Sequence, residues 1–268
     1  MDYSSKVLEY KRKGIETPTI DMIKTEEQID GIRKAGIINT LVLDEVARRI
    51  KVGMSTLEID EIVAAKTKEL GGICAPLGYN GFPKHCCTSI NDAVCHGIPS
   101  KDDILKDGDI VNVDCTTIYN GYYADASRMF LIGNCDDAAK DLVKVTKECL
   151  DLAVENLKPY SRLRDIGYII ERHAKKNGYS VVHEIGGHGV GVDFHEDPFI
   201  YHYGSKGTGM VLFPGMVFTI EPMINEGSRR VFLDASNNWT IYTDDGGWSS
   251  QFEYTVLITE TGIEILSF

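Results

Sequence analysis

Four carboxylates stand in stretches whose other residues read as strand. Asp114 lies in IVNVDCTTIY (110–119), Asp125 in GYYADASRMF (121–130), Glu221 in MVFTIEPMI (216–224) and Glu253 in SQFEYTVLIT (250–259). The two glutamates have apolar, aromatic and β-branched neighbours, where an ionised carboxylate is costly unless it is paired or holds a metal. Asn120–Gly121 between two alternating runs is a strong hairpin signal. With these two residues as the turn, Tyr119 pairs with Tyr122 and Thr116 with Asp125. Asp114 and Thr116 are two apart and share a face. Asp114 and Asp125 are then diagonal neighbours, roughly 5–8 Å apart at Cβ. On a buried face such a pair needs a proton or a cation between its members; on a solvated face it needs neither. Val111, Val113, Cys115 and Met129 favour cover on both faces.

The segment EIGGHGVGVDFHEDP (184–198) adds His188 and His195. Gly186, Gly187, Gly189 and Gly191 flank His188 and let the backbone approach a ligand closely. The two histidines are seven residues apart, whereas two ligands on one helical face are four apart. One ligand plus one substrate contact is the more natural division, although a lone histidine is also a common structural residue. Four carboxylates and one imidazole suit Mn, Fe(II), Co or Zn rather than thiolate chemistry. Their four negative charges balance two divalent ions. Two such ions about 3.5–4 Å apart activate a bridging water and clamp both oxygens of a tetrahedral intermediate.

These residues need helices and strands to bring them together. Thr25 with Gln28 is a capping box, and Ile29, Ile32, Leu41, Val46 and Ile50 behind it predict a helix over 26–51. Ser55 with Glu58 opens a second helix that Gly71–Gly72 stops. A third spans about 137–157, before Pro159, and Ser161 is expected to cap a fourth that ends at Asn177–Gly178. The four carboxylate-bearing runs alternate with period two. The order helices, strands, helices, strands predicts an α+β fold with an antiparallel sheet and two similar halves. Residues 1–24 are polar and without clear periodicity, which predicts an extended or partly ordered arm. Residues 25–268 read as a single catalytic domain.

The chain has 268 residues, 43% hydrophobic and 25% charged, as in a soluble globular protein. A net charge of −12 repels phosphate backbones and argues against nucleic acid in the site. No run approaches the roughly 18 apolar residues that span a bilayer, and the N-terminal residues lack a signal-peptide core. The seven cysteines are irregularly spaced, so they are expected as buried thiols in a reducing cytoplasm.

Seven stretches carry a resemblance: LGYNGFPK (77–84), SINDAVCHGIP (89–99), DGDIVNVD (107–114), GYYADASRMF (121–130), GGHGVGVDFHEDP (186–198), PGMVFTIEPM (214–223) and QFEYTV (251–256). In their order and spacing, over roughly residues 25–266, the chain resembles the type I methionine aminopeptidases of the pita-bread fold. That fold is a curved antiparallel sheet with pseudo-symmetric halves and helices on its outer face. The resemblance implies that Asp114 chelates one metal, His188 and Glu221 hold the other, and Asp125 and Glu253 bridge both. It implies that His96 and His195 contact the scissile peptide group, and that Glu221 shuttles the proton of the attacking water. The methionine pocket would involve Tyr79, Phe82, Cys87, Phe194 and Trp239. The implied substrates are nascent polypeptides that begin with Met and carry a small second residue. The resemblance implies a monomer; the cysteines and the lack of an apolar span lead to the expectation of a cytoplasmic protein with no membrane association, and the ribosome is a candidate transient partner. Asn80, Phe82 and Tyr254 depart from the common family pattern and bear on pocket detail rather than class.

Two other readings are compatible with parts of the pattern. Proline-specific peptidases of the same fold resemble this chain in all five ligands but usually carry an extra N-terminal domain of over a hundred residues. Non-catalytic binding proteins on this fold typically lose ligands, whereas all five are present here. No insertion of about sixty residues precedes the final strands, which argues against the type II form.

Overall fold

The computed structural model describes residues 3–268. Helix α1 (Tyr3–Arg12) is followed by α2 (Glu26–Arg49), α3 (Thr56–Glu69), α4 (Asp137–Asn156) and α5 (Leu163–Lys176). Both expected capping boxes form, Thr25 with Gln28 and Ser55 with Glu58, each donor and acceptor pair satisfied reciprocally. The core face of α2 is Ile29, Ile32, Ile38, Val42, Leu43 and Val46. Leu41, expected on that face, points to solvent, and Ile50 is the residue after the helix. Ser161 does not cap α5. Its hydroxyl accepts from the Lys158 N–H, and the Arg162 N–H instead finds the Asp165 carboxylate.

The first residues are not an extended arm. Tyr3, Val7 and Tyr10 recur at helical spacing, and α1 lays them on Phe213 and Tyr160 of the core. Their polar neighbours mask this three-residue stripe in a window-based reading.

The main sheet has nine strands. Its path runs from Ile73–Cys74 through Ile110–Tyr119, Tyr122–Leu131, Glu253–Ile258, Val217–Ile220 and Gly187–Gly189 to Glu196–Ile200. Cys87–Ile90 pairs on Ile110–Tyr119, and Ile263–Ser267 on Glu253–Ile258. The ladders are antiparallel. This is the pita-bread architecture, with two helix pairs over two separate apolar cores. α2 and α3 pack with Val111, Val113, Cys115 and Ala126; α4 and α5 pack with Phe218, Ile220, Tyr254 and Val256.

The sheet therefore has one greasy face and one polar face, both buried. Opposed residues share a face, so Asp114 goes with Ser127, Thr116 with Asp125, Glu253 with Ser127 and Thr219 with Thr255. Every one of these lies opposite the helices. Each strand alternates, as a half-solvated strand would, but its polar half turns inward to the site.

Two strands expected to run unbroken are split. The 216–224 run becomes Val217–Ile220 in the main sheet and Met223–Asn225 in a three-stranded sheet; the 250–259 run becomes Ser249–Gln251 and Glu253–Ile258. Pro222 has no N–H for a ladder and restricts the residue before it. The partner strand breaks at the same level, because Met223 pairs with Gln251 while Ile220 pairs with Tyr254. Glu221 and Glu253 stand at this break.

Candidate functional site

The hairpin register is the one Asn120–Gly121 predicts: Tyr119 faces Tyr122 and Thr116 faces Asp125. Both turn residues have positive φ, 51° and 83°, as a type I′ turn demands. Asp114 and Asp125 thus share the polar face, and Cys87 joins it opposite Asp114. His188 comes from the short strand Gly187–Gly189. A Cβ on Gly187 would lie 2.4 Å from the Thr219 carbonyl, and one on Gly189 2.2 Å from that of Asp197. Only glycine lets this strand sit against both neighbours.

Hydrogen bonds fix the orientation of these groups. His188 Nδ1 lies 2.9 Å from the Gly189 carbonyl, to which it donates. Its Nε2 lone pair is then free, 3.8 Å from Asp125 Oδ2 and 3.8 Å from Glu221 Oε1. Those separations exceed a hydrogen bond and leave room for an ion. One ligand atom each of Asp125, His188 and Glu253 lies within 4.8 Å of the others. The Thr116 hydroxyl donates to Asp125 Oδ1 at 2.8 Å. The Thr219 hydroxyl donates to Glu221 Oε1 at 2.7 Å while accepting the His188 N–H at 3.0 Å. Gln251 Nε2 donates to the other Glu221 oxygen at 3.2 Å, and the Glu221 N–H donates to His202 Nε2 at 3.1 Å.

The charges do not balance within the protein. Asp125, Glu221 and Glu253 are buried, and among the described residues no Lys or Arg pairs with any of the four carboxylates. Burial pushes Asp114 up to about 7 and Glu221 up to about 8. It raises Asp125 and Glu253 too, with their acidic neighbours adding to the effect. Burial and the neighbouring His195 push His188 down to about 3, which keeps its imidazole in the neutral, metal-binding form. Four carboxylates that resist ionisation together and one neutral imidazole with a free lone pair fit divalent cations.

A cavity of about 270 Å³ opens over this cluster. It is bordered by the five donors, by His96 and His195, and by Tyr79, Phe82, Cys87, Phe194 and Trp239. All the residues nominated from sequence meet there. Phe82 meets Trp239 edge to face at 5.1 Å, and Tyr79 meets Phe194 at 4.7 Å. His96 follows the strand Ala93–Cys95, which pairs with Ile241–Thr243 in a small sheet. Its φ of 56° is left-handed, a strained state for a side chain that the sheet and Trp239 hold. Burial pushes His96 down to about 4, so it too is neutral. Of the three atypical positions only Phe82 borders the cavity; Tyr254 turns to the helix face, its hydroxyl 3.1 Å from Asp151 of α4.

The family model described as metallopeptidase family M24 matches residues 30–260. This chain belongs to that family. It is 49% identical over 250 residues to methionine aminopeptidase A of Synechocystis sp., covering 93% of this chain and 98% of the relative. It is 44% identical over 246 residues to a methionine aminopeptidase of Escherichia coli K12, covering 91% and 93%. The crystal structure of methionine aminopeptidase from Rickettsia prowazekii superposes with a TM-score of 0.90 at 42% identity, covering 92% of this chain and 99% of that one. The M24 chain is accordingly a metal-dependent aminopeptidase, a hydrolase of the methionine aminopeptidase group.

Of the supporting residues, sequence placed Thr116 on the ligand face opposite Asp125; Thr219, Gln251 and Thr255, whose hydroxyl accepts the Asp125 N–H at 3.0 Å, were not singled out. A signal existed. Thr116, Thr219, Gln251 and Thr255 each lie two residues from a candidate ligand, so strand alternation puts each on the ligand face.

Proposed function

We propose that the chain removes the N-terminal methionine from polypeptides, preferentially when the second residue is small, at a centre of two divalent ions. One observation carries this reading. Four carboxylates, three of them buried, and an imidazole with a free Nε2 converge on a cavity with aromatic walls, and among the described residues no Lys or Arg pairs with them. Asp114, Asp125, His188, Glu221 and Glu253 would hold the ions. Two divalent ions, when bound, lower the pKa of the attacking water and polarise the scissile carbonyl. The chain's own groups do the rest. Glu221 takes the proton of the attacking water and returns it to the departing amine. Neutral His96 and His195 hydrogen-bond the scissile peptide group. Tyr79, Phe82, Cys87, Phe194 and Trp239 receive the methionine side chain, and their apolar surface keeps water from it.

In this reading residues 25–268 form the catalytic unit and 1–24 precede it. The substrates are nascent chains met at the ribosome, and the enzyme acts as a monomer in the cytoplasm with Mn, Fe(II), Co or Zn. The test is turnover of Met-Ala-Ser against Xaa-Pro peptides, with and without added Mn(II) or Co(II). Metal-dependent release of Met from Met-Ala-Ser is expected. Cleavage of Xaa-Pro peptides instead would move the chain to the proline-specific peptidases. Glu221→Gln should keep its circular dichroism and lose about 10²–10⁴-fold in kcat; wild-type activity in that variant would remove Glu221 from the mechanism.

A further inference from the structure

Lys24 is a buried cation, its side chain 3% exposed, and lysine is almost never buried without a partner. Its Nζ meets the Glu196 carboxylate at Oε2 and the Asp21 carbonyl. Its backbone is anchored as well, the N–H donating to the Gly215 carbonyl at 2.8 Å. The other Glu196 oxygen, Oε1, accepts the N–H groups of Val192 at 2.7 Å and Asp193 at 2.9 Å. One carboxylate thus ties the segment before α2 to the turn 191–196.

That turn carries Phe194 and His195 into the cavity. Among the described residues neither ring nitrogen of His195 has a hydrogen-bond partner in the protein. Its ring rests on His188, centroids 4.1 Å apart, and on Tyr79 at 5.2 Å. Stacking limits the tilt of the ring but leaves the direction of its nitrogens to the backbone. The first end of the turn is already fixed. A Cβ on Gly191 would lie 2.3 Å from Ile32 Cδ1, and the Gly191 carbonyl accepts the Tyr123 N–H at 2.9 Å. Glu196 holds the turn beyond it. Oε1 is occupied by two amides, and among the described residues the cation that meets Oε2 is Lys24, from the N-terminal segment.

We propose that Lys24 is a positioning residue for His195: through Glu196 it fixes the turn that aims the imidazole at the substrate's peptide group. The inference rests on the reading of His195 as a group that handles the substrate. It gives the segment before α2 a part in catalysis that its polar, aperiodic sequence does not suggest. A buried ion pair contributes little net stability over an apolar pair, and losing one member leaves a buried charge unmatched. Misplacement of a reacting group by about 1 Å costs about 10²-fold in rate.

The experiment measures kcat and KM on Met-Ala-Ser with Mn(II), bound metal by elemental analysis, and amide exchange at Val192 and Asp193. Lys24→Met is expected to lower kcat by about 10–100-fold, leave metal content unchanged and speed exchange at both amides. Lys24→Met/Glu196→Gln should recover most of the kcat, because the glutamine carbonyl still accepts both N–H groups and needs no cation. Lys24→Met/Glu196→Ala, equally free of charge but unable to hold the turn, should not recover it. This pair decides the matter even if Lys24→Met alone does not fold. In a His195→Ala background the Lys24→Met loss should vanish, as it must if one residue acts through the other. Equal fractional losses with and without His195, or equal kcat in the Gln and Ala double variants, would overturn the proposal. Failure of the wild-type enzyme to release Met would instead overturn the underlying reading of the site.

Discussion

Thr219 illustrates how much one hydroxyl decides at the level of single residues. It accepts from the His188 backbone and donates to Glu221, so it sets the spacing of two candidate ligands that are distant in sequence. Thr219→Val keeps the shape and removes both bonds. It leaves a buried N–H and a buried carboxylate oxygen without partners, at a cost of about 1–3 kcal/mol each. The expected outcome is a 10–100-fold weaker affinity for Mn(II) in titration calorimetry with the far-UV spectrum retained. An unchanged affinity would mean that the ligands hold their positions without it. The cysteines show the opposite case. All seven are buried and unpaired, and burial pushes Cys149 up to about 12 and Cys74 up to about 11. They are packing residues, as their irregular spacing implied, although Cys87 also borders the cavity.

At the level of elements, opposing local and tertiary preferences are weighed by magnitude. Gly36 lies inside α2, where replacing glycine by alanine gains about 1 kcal/mol from helix propensity alone. Its Cβ, however, would stand 2.0 Å from the Leu266 carbonyl. That neighbour is backbone, so it cannot swing aside, and overpacking of this kind costs about 1–3 kcal/mol. The contact outweighs the propensity. Gly36→Ala should therefore lower the thermal midpoint, although an isolated α2 peptide with the same change should gain helicity. A raised midpoint would show that α2 can move off the last strand freely. The local signals were legible where they were chemical: two capping boxes, an Asn-Gly turn and the register it sets. Pro222 was a local signal for the break in the 216–224 run that the alternation overrode; tertiary contacts chose the matching break in the 250–259 run and the outward turn of Leu41.

At the level of the whole molecule, the polar faces of strands from both halves make one internal surface that the protein alone does not neutralise. The helix pairs and their separate cores keep that surface in place. Binding of divalent ions stabilises the form that binds them, by about 2.7 kcal/mol when the ion is at a hundred times its dissociation constant. The chain treated with EDTA should melt several degrees lower than the same chain with Mn(II) or Co(II), and Mg(II) should restore less, since imidazole suits it poorly. Equal midpoints with and without metal would argue that the carboxylates are held as protonated pairs. No helix is long and apolar enough to cross a membrane among the described residues.

The sequence by itself determined the hairpin, its register and the shared face of Asp114 and Asp125, because an Asn-Gly turn and period-two alternation are local rules. It determined four of the five helices to within two residues, through two capping boxes, glycine stops and Pro159, although the Ser161 cap expected for α5 does not form. Family motifs named the remaining residues. Only the tertiary structure decided that all of them border one cavity, since ladders between strands far apart in the chain leave no trace in local spacing. Only it decided that Glu221 and Glu253 stand where two strands change sheets together, and that Lys24, in a segment read as an arm, meets Glu196 beside His195. Those contacts join residues up to 172 positions apart, and no window along the chain contains both ends.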